Sequence, residues 1–253
     1  TAVGDQALEA NTSGTNNSAL GDDALVANTT GDRNVAVGTS ALAANTVGVR
    51  NVSIGHQSLL ANVHGSRSIA IGHNALSSQA PSSATDMYNT AVGHEAGAAV
   101  TTGTNNTFIG GLAGGANTTA SNNTAVGHVA LVANTTGSQN NAFGRFALNA
   151  NTTGYENVGV GYQSLYTNTT GYNNTASGNY SLFANTTGYE NAAFGYNSMG
   201  ANTTGNQNTA VGRNALGLNT TADQNTAVGY YAGYNNTTGT QNTALGRVSM
   251  YTN

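Results

Sequence analysis

The chain is 253 residues long and carries little charge: 6% of its residues are charged, and six basic against ten acidic side chains leave a net charge of −4. That balance supplies no basic patch, so neither nucleic acid nor an anionic membrane is an expected partner. No apolar run reaches membrane-spanning length, no signal peptide is visible, and without Cys there is no disulfide framework.

From its first residues the chain repeats one phrase, most legible at Asn123-Thr124-Ala125-Val126-Gly127, Ala130-Leu131 and Asn134-Thr135-Thr136-Gly137. A lead glycine opens each copy, first at Gly4, Gly21, Gly38, Gly55 and Gly72, 17 residues apart. The next step, to Gly93, is 21 residues and contains Pro81; from there the 17-residue spacing resumes through Gly110, Gly127 and Gly144 to Gly246. A short fixed period makes each copy one coil of a solenoid. The expected fold is all-β: a parallel β-solenoid of about fifteen 17-residue coils without helices, forming one repeat array over 1–253. Because it opens and closes within a repeat, the array reads as a fragment of a longer fibre. Pro81 and the surrounding Ser-rich composition predict an outward loop at about 77–88 that leaves the stack unbroken.

Aligned as columns, with the lead glycine as position zero, the repeat assigns a task to each position. Position −1 is aliphatic or aromatic except at Ser177, and position −3 is mostly Thr, Val or Ile. Their period-two spacing before a glycine predicts a short strand with both columns facing inward and a turn after it. Leu at +4 in ten coils, from Leu8 to Leu216, supplies the core of a second strand or a corner. The lead glycines, and a second set ten residues on, mark positive φ or close approach between coils, with Ala120 and Ala222 as exceptions in the second set. Two Asn columns, one running from Asn11 to Asn253 and the other from Asn17 to Asn242, predict amide ladders between coils. Many of these Asn begin Asn-x-Ser/Thr triplets, as at Asn28 and Asn151; the structural repeat accounts for the triplets without glycosylation.

Position −2, between two inward columns, is expected to face outward, yet it is Ala in twelve of fifteen coils. Position +3 is Ala or Ser in all fifteen. Persistent small residues on an outward face predict close packing against another chain, with Ala125, Ala142, Ala176, Ala193 and Ala210 as the assembly seam. The thin core points the same way.

The phrases Ser68-Ile69-Ala70-Ile71-Gly72-His73-Asn74-Ala75 and Asn34-Val35-Ala36-Val37-Gly38-Thr39-Ser40-Ala41 resemble the head repeats of YadA-like trimeric autotransporter adhesins. That resemblance implies a left-handed β-roll, three chains side by side and adhesion at a bacterial surface. Asn-Thr-Ala-Val-Gly repeats are also similar to those of phage tail-fibre-like and bacterial surface proteins. The period of 17 and the added Asn-Thr-Thr-Gly arm depart from the adhesin pattern.

Candidate chemistry is sparse. Of His56, His64, His73, His94 and His128, all but His64 occupy position +1, and the column reads as a tolerant surface column rather than a metal site. Glu95 beside His94 has no third partner for acid–base work. No enzyme, cofactor or metal site is expected. Eleven of twelve Tyr lie from Tyr155 onward, and Tyr155, Tyr172 and Tyr189 share one column, a candidate ligand face for sugars or proteins. The functional expectation is an extracellular or cell-surface fibre or adhesin shaft, self-associated as a homotrimer or filament, with a host-surface glycan or matrix protein as a further partner. The alternatives are a phage tail-fibre segment that binds glycans and, behind it, an ice-binding solenoid built on its Thr columns.

Overall fold

The computed structural model describes residues 1–251, and no helix occurs among them. The chain is a parallel β-solenoid divided into two compact units, Thr1–Asn123 and Thr124–Asn253. In the first, the strands Ala2–Val3, Ser18–Leu20, Val35–Val37, Val52–Ile54, Ile69–Ile71, Thr90–Val92 and Thr107–Ile109 pair in parallel in chain order. In the second, parallel pairing runs in order from Thr124–Val126 to Thr243–Leu245. The register repeats the period, as in Ala176↔Ala193 and Phe194↔Val211. Asn253, the last member of one Asn column, lies outside the described residues.

Each coil carries one strand of the main sheet, three residues long except at Ala2–Val3, and, apart from a two-residue pair beside the 21-residue step, turns make the remainder. The expected second strand at +4 is a corner: Leu25, Leu59 and Leu165 are fully buried with φ of 54, 47 and 52°. Left-handed backbone at a non-glycine residue costs about 1–2 kcal/mol. Here it turns the leucine into the core while its amide bonds the next coil, as in Leu165 N–H to Ser181 O at 3.0 Å. Positions +2 and +12 are left-handed too, for example Gln163 and Asn173. Of the two glycine columns, only the lead column has positive φ; Gly178 sits at 141°. The second column is close approach alone: a Cβ on Gly171 would lie 2.3 Å from Asn168 Oδ1. Ala120 and Ala222 therefore need no unusual turn, and their carbonyls accept the usual Asn amide at 3.0 and 3.1 Å.

The strand faces the opposite way from its sequence-based orientation. Ala125, Ala142, Ala176, Ala193 and Ala210 at −2 are all fully buried within their own chain, so they are core and not an outward seam. The −1 residues carry the exposure instead, with Phe143 at 41% and Phe194 at 43%. The interior is narrow: Leu at +4, Ala or Ser at +3 and two Asn columns fill it, which leaves room for little more than a methyl group at −2. Exceptions show the fit. Phe108 at −2 is fully buried because Gly97 and Gly114 replace the +4 leucines around it. A Cβ on Gly114 would come within 2.4 Å of the Phe108 ring. Where Ser53 stands at −2, its hydroxyl meets that of Ser58 at +3, 2.5 Å away.

Both Asn columns form ladders. Asn168 Nδ2 donates to Asn151 Oδ1 at 2.8 Å and to Gly171 O at 3.0 Å, and Asn168 Oδ1 accepts from Asn185 Nδ2 at 2.8 Å. In the other column, Asn157 Nδ2 donates to Gly171 O at 2.8 Å, and Asn174 N–H donates to Asn157 Oδ1 at 3.0 Å. An Asn28-type glycan has no place in this fold, because that side chain is fully buried with its amide bonded to Asn11 Oδ1 at 2.7 Å. Removing the Asn168 rung takes the donor from buried Asn151 Oδ1 on one side and the acceptor from the Asn185 Nδ2 amide on the other. Asn168→Ala is therefore expected to lower stability by about 2–3 kcal/mol in chemical denaturation, whereas Thr170→Ala on the exposed arm changes it by less than about 0.5 kcal/mol.

The 21-residue step is absorbed without a change of sheet register, since Ile69 pairs with Thr90 and Ile71 with Val92. The loop is narrower than 77–88. Ala80 N–H still bonds Thr101 O at 3.0 Å, and Thr85–Asp86 pairs in parallel with Gly65–Ser66, so Pro81 to Ala84 make the excursion. Gln79 stands in for the ladder Asn, donating to Asn62 Oδ1 at 3.0 Å and accepting from Asn89 Nδ2 at 2.9 Å. An Arg67–Asp86 ion pair at 3.0 Å and an Arg67–Tyr88 hydrogen bond brace the return.

Candidate functional site

With Leu, Ala and Asn committed to the interior, the outward columns are what the chain offers to other molecules. The most extensive is the −1 column on the strand face. In the first unit it exposes Val3, Leu20, Ile54, Ile71 and Ile109; in the second, Phe143, Val160, Phe194, Val211 and Leu245. None of its positions is charged. The −3 column beside it is half-exposed, and the two flank a depression of about 310 Å³ bordered by Thr1, Val3, Ser18, Leu20 and Val37. Exposed apolar surface in a continuous patch marks an interaction face. Sequence reasoning missed this face because it placed these side chains inside.

Aromatic residues occupy other columns of the second unit. Tyr155, Tyr172 and Tyr189 stack face to face, with ring centroids 5.0 and 4.9 Å apart and planes within 4°. Stacking covers both faces of Tyr172 and one face each of Tyr155 and Tyr189, which leaves the ladder mainly ring edges and hydroxyls to present along its length. Desolvation within the stack raises the Tyr172 pKa, and Tyr189, Tyr155 and Glu190 add to the rise. A second cluster joins Phe146, Tyr162, Tyr166, Tyr180 and Phe183 mainly through edge contacts. Arg145 lies over the Phe146 ring at 4.5 Å, which covers that face as well.

The histidines separate. His56, His73 and His94 stack at 5.3 and 5.1 Å with planes 9° apart. His128 meets Phe146 edge-on in the other unit, and His64 Nδ1 lies 3.3 Å from Pro81 O. Glu95 Oε1 is 3.8 Å from His94 Nε2.

The Thr-Thr pairs are divided by the fold as their adjacency requires. The first hydroxyl bonds the next coil, as in Thr186 Oγ1 to Thr203 O at 3.0 Å, and the second, as at Thr187, is exposed. At +11 a side chain caps the previous coil's amide: Thr15 N–H and hydroxyl reach Asp32 Oδ1 at 2.6 and 3.0 Å. The backbone bond, then the hydroxyl, hold the Asp32 carboxyl below its ordinary pKa.

Comparison with protein-family models, curated proteins and solved structures returned no match.

Proposed function

We propose that this chain is a non-enzymatic segment of an extracellular or cell-surface fibre, whose copies associate side by side through the apolar −1 column, most simply as three chains. The observation that carries this reading is an uncharged column of exposed or half-exposed aliphatic and aromatic side chains, one per coil except at Ser177. Only a surface with the same period can match such a column coil for coil, and a second copy of the chain has that period. The reading keeps the expected self-association and moves its seam from the −2 alanines to their −1 neighbours.

Sedimentation analysis tests it directly. The parent is expected to sediment as a multimer. Phe143→Lys, Val160→Lys and Phe194→Lys together should release folded single chains, because these side chains point away from the core. Ala142→Lys alone should instead unfold the coil that carries it, since a buried position next to leucine has no partner for an ammonium group. A parent that remains a single chain at high concentration would remove the fibre interface.

A phage tail-fibre segment is the second reading, supported by the concentration of aromatic residues in the second unit. Glycan binding there would use the Tyr hydroxyls and ring edges, and binding to a glycan array that survives loss of the −1 face would favour it. The ice-binding reading rests on one outward Thr column, and thermal hysteresis of the purified chain is its test.

A further inference from the structure

His73, His94 and Glu95 come from two successive coils that flank the 21-residue step. Position +1 places both imidazoles in one outward column, and the stack holds their rings parallel at 5.1 Å. Glu95 follows at +2 in left-handed conformation (φ 53°), and its N–H is tied to His73 O at 2.9 Å. The carboxylate is thereby returned to the His column, and one ligand atom from each of the three residues lies within 4.8 Å of the others. We propose that these three side chains bind a divalent transition-metal ion of the zinc class, clamping the coil of Gly72 to that of Gly93.

The donor set selects the metal. Imidazole and carboxylate together suit zinc, nickel and copper, whereas calcium and magnesium prefer all-oxygen shells. Metal–nitrogen bonds of about 2.0–2.1 Å at a tetrahedral angle bring donors to about 3.3 Å apart. From within 4.8 Å, side-chain rotation of the two exposed His out of their stack has to supply that contraction. Three protein ligands leave the fourth position to water. His56 stacks on His73 at 5.3 Å and lies outside the ligand set. The other two His do not contribute: His64 faces Pro81 and His128 faces Phe146. The site does not depend on the fibre reading.

Isothermal titration of the untagged chain with zinc chloride is the experiment. One ion per chain is expected, at micromolar zinc. His73→Ala combined with His94→Ala should abolish binding, and isosteric Glu95→Gln should weaken it by more than about tenfold. Saturating zinc should raise the Tm of the parent and leave the double variant unmoved, with far-UV circular dichroism showing both folded. Calcium at the same concentration should do neither. Absence of zinc binding, binding that survives the double variant, affinity unchanged in Glu95→Gln, or binding lost on His64→Ala or His128→Ala would overturn the site.

Discussion

Replacing Gly178 by Ala is expected to destabilise the chain by about 3–6 kcal/mol, seen as a fall in Tm of roughly 10 °C or more. Two independent costs add. The φ of 141° belongs to a region that side chains seldom enter, and a Cβ would lie 2.4 Å from Gly195 O and 2.6 Å from its carbonyl carbon. That obstacle is backbone of the next coil, held by the strand pairing of Thr175–Ser177 with Ala192–Phe194, so it cannot swing aside. Gly171→Ala provides the contrast. Its φ is not positive, and Ala occupies the equivalent position at 120 and 222, so coil spacing adjusts there at much smaller cost. Equal losses in the two variants, measured by thermal denaturation, would mean that the lead glycine is not conformationally required.

Phe108→Ala should cost about 3–5 kcal/mol, the usual range for emptying a buried phenyl site. A stricter expectation follows from the exchange of volume around it. Combining Phe108→Ala with Gly97→Leu and Gly114→Leu rebuilds the ordinary coil and should restore most of the lost stability. The two glycines already have φ of 59 and 58°, beside 46–60° for residues such as Met250 and Leu112 in the left-handed positions, so leucine fits their backbone. Gly114→Leu alone, with Phe108 retained, should be strongly destabilising because a Cβ there would already meet the ring at 2.4 Å. Denaturation of the three variants measures the coupling, and a triple variant no more stable than Phe108→Ala would contradict this account of the core.

The repeat period, the lead-glycine turn, the leucine core and both Asn ladders were legible from residue columns, because each follows from a single spacing. Strand orientation was not. Three residues alternate the same way in either phase, and the apolar character of Val126 or Val211 suggested burial while Ala125 or Ala210 was compatible with either face. The decisive constraint is interior width, which depends on where Leu131 and Asn134 point and therefore on the corner geometry. One signal was nonetheless present in the sequence: Phe108 is flanked by Gly97 and Gly114 where leucines are otherwise usual, a volume exchange that makes sense only if −2 and +4 share the core. The His73–His94–Glu95 cluster was legible in part: the shared +1 column and the His94–Glu95 adjacency stood in the sequence and read as a tolerant surface, whereas the approach of Glu95 to His73 did not. The 21-residue step separates its coils irregularly along the chain, and only the preserved register of Ile69 with Thr90 brings them together.

The Asn ladder of the second unit also gives the stack an electrical direction. From Asn151 to Asn219 each side-chain amide donates toward the lower-numbered coil, so the carboxamide dipoles all point the same way along the column. Aligned dipoles in a dry interior polarise one another, and each bond strengthens its neighbours. The two faces of any coil are consequently unlike, one offering N–H and the other oxygen. A coil laid on with its chain reversed would bring donor to donor or acceptor to acceptor, whereas one laid on in the same sense continues the wire. Growth of such a column is vectorial at the level of a single side chain.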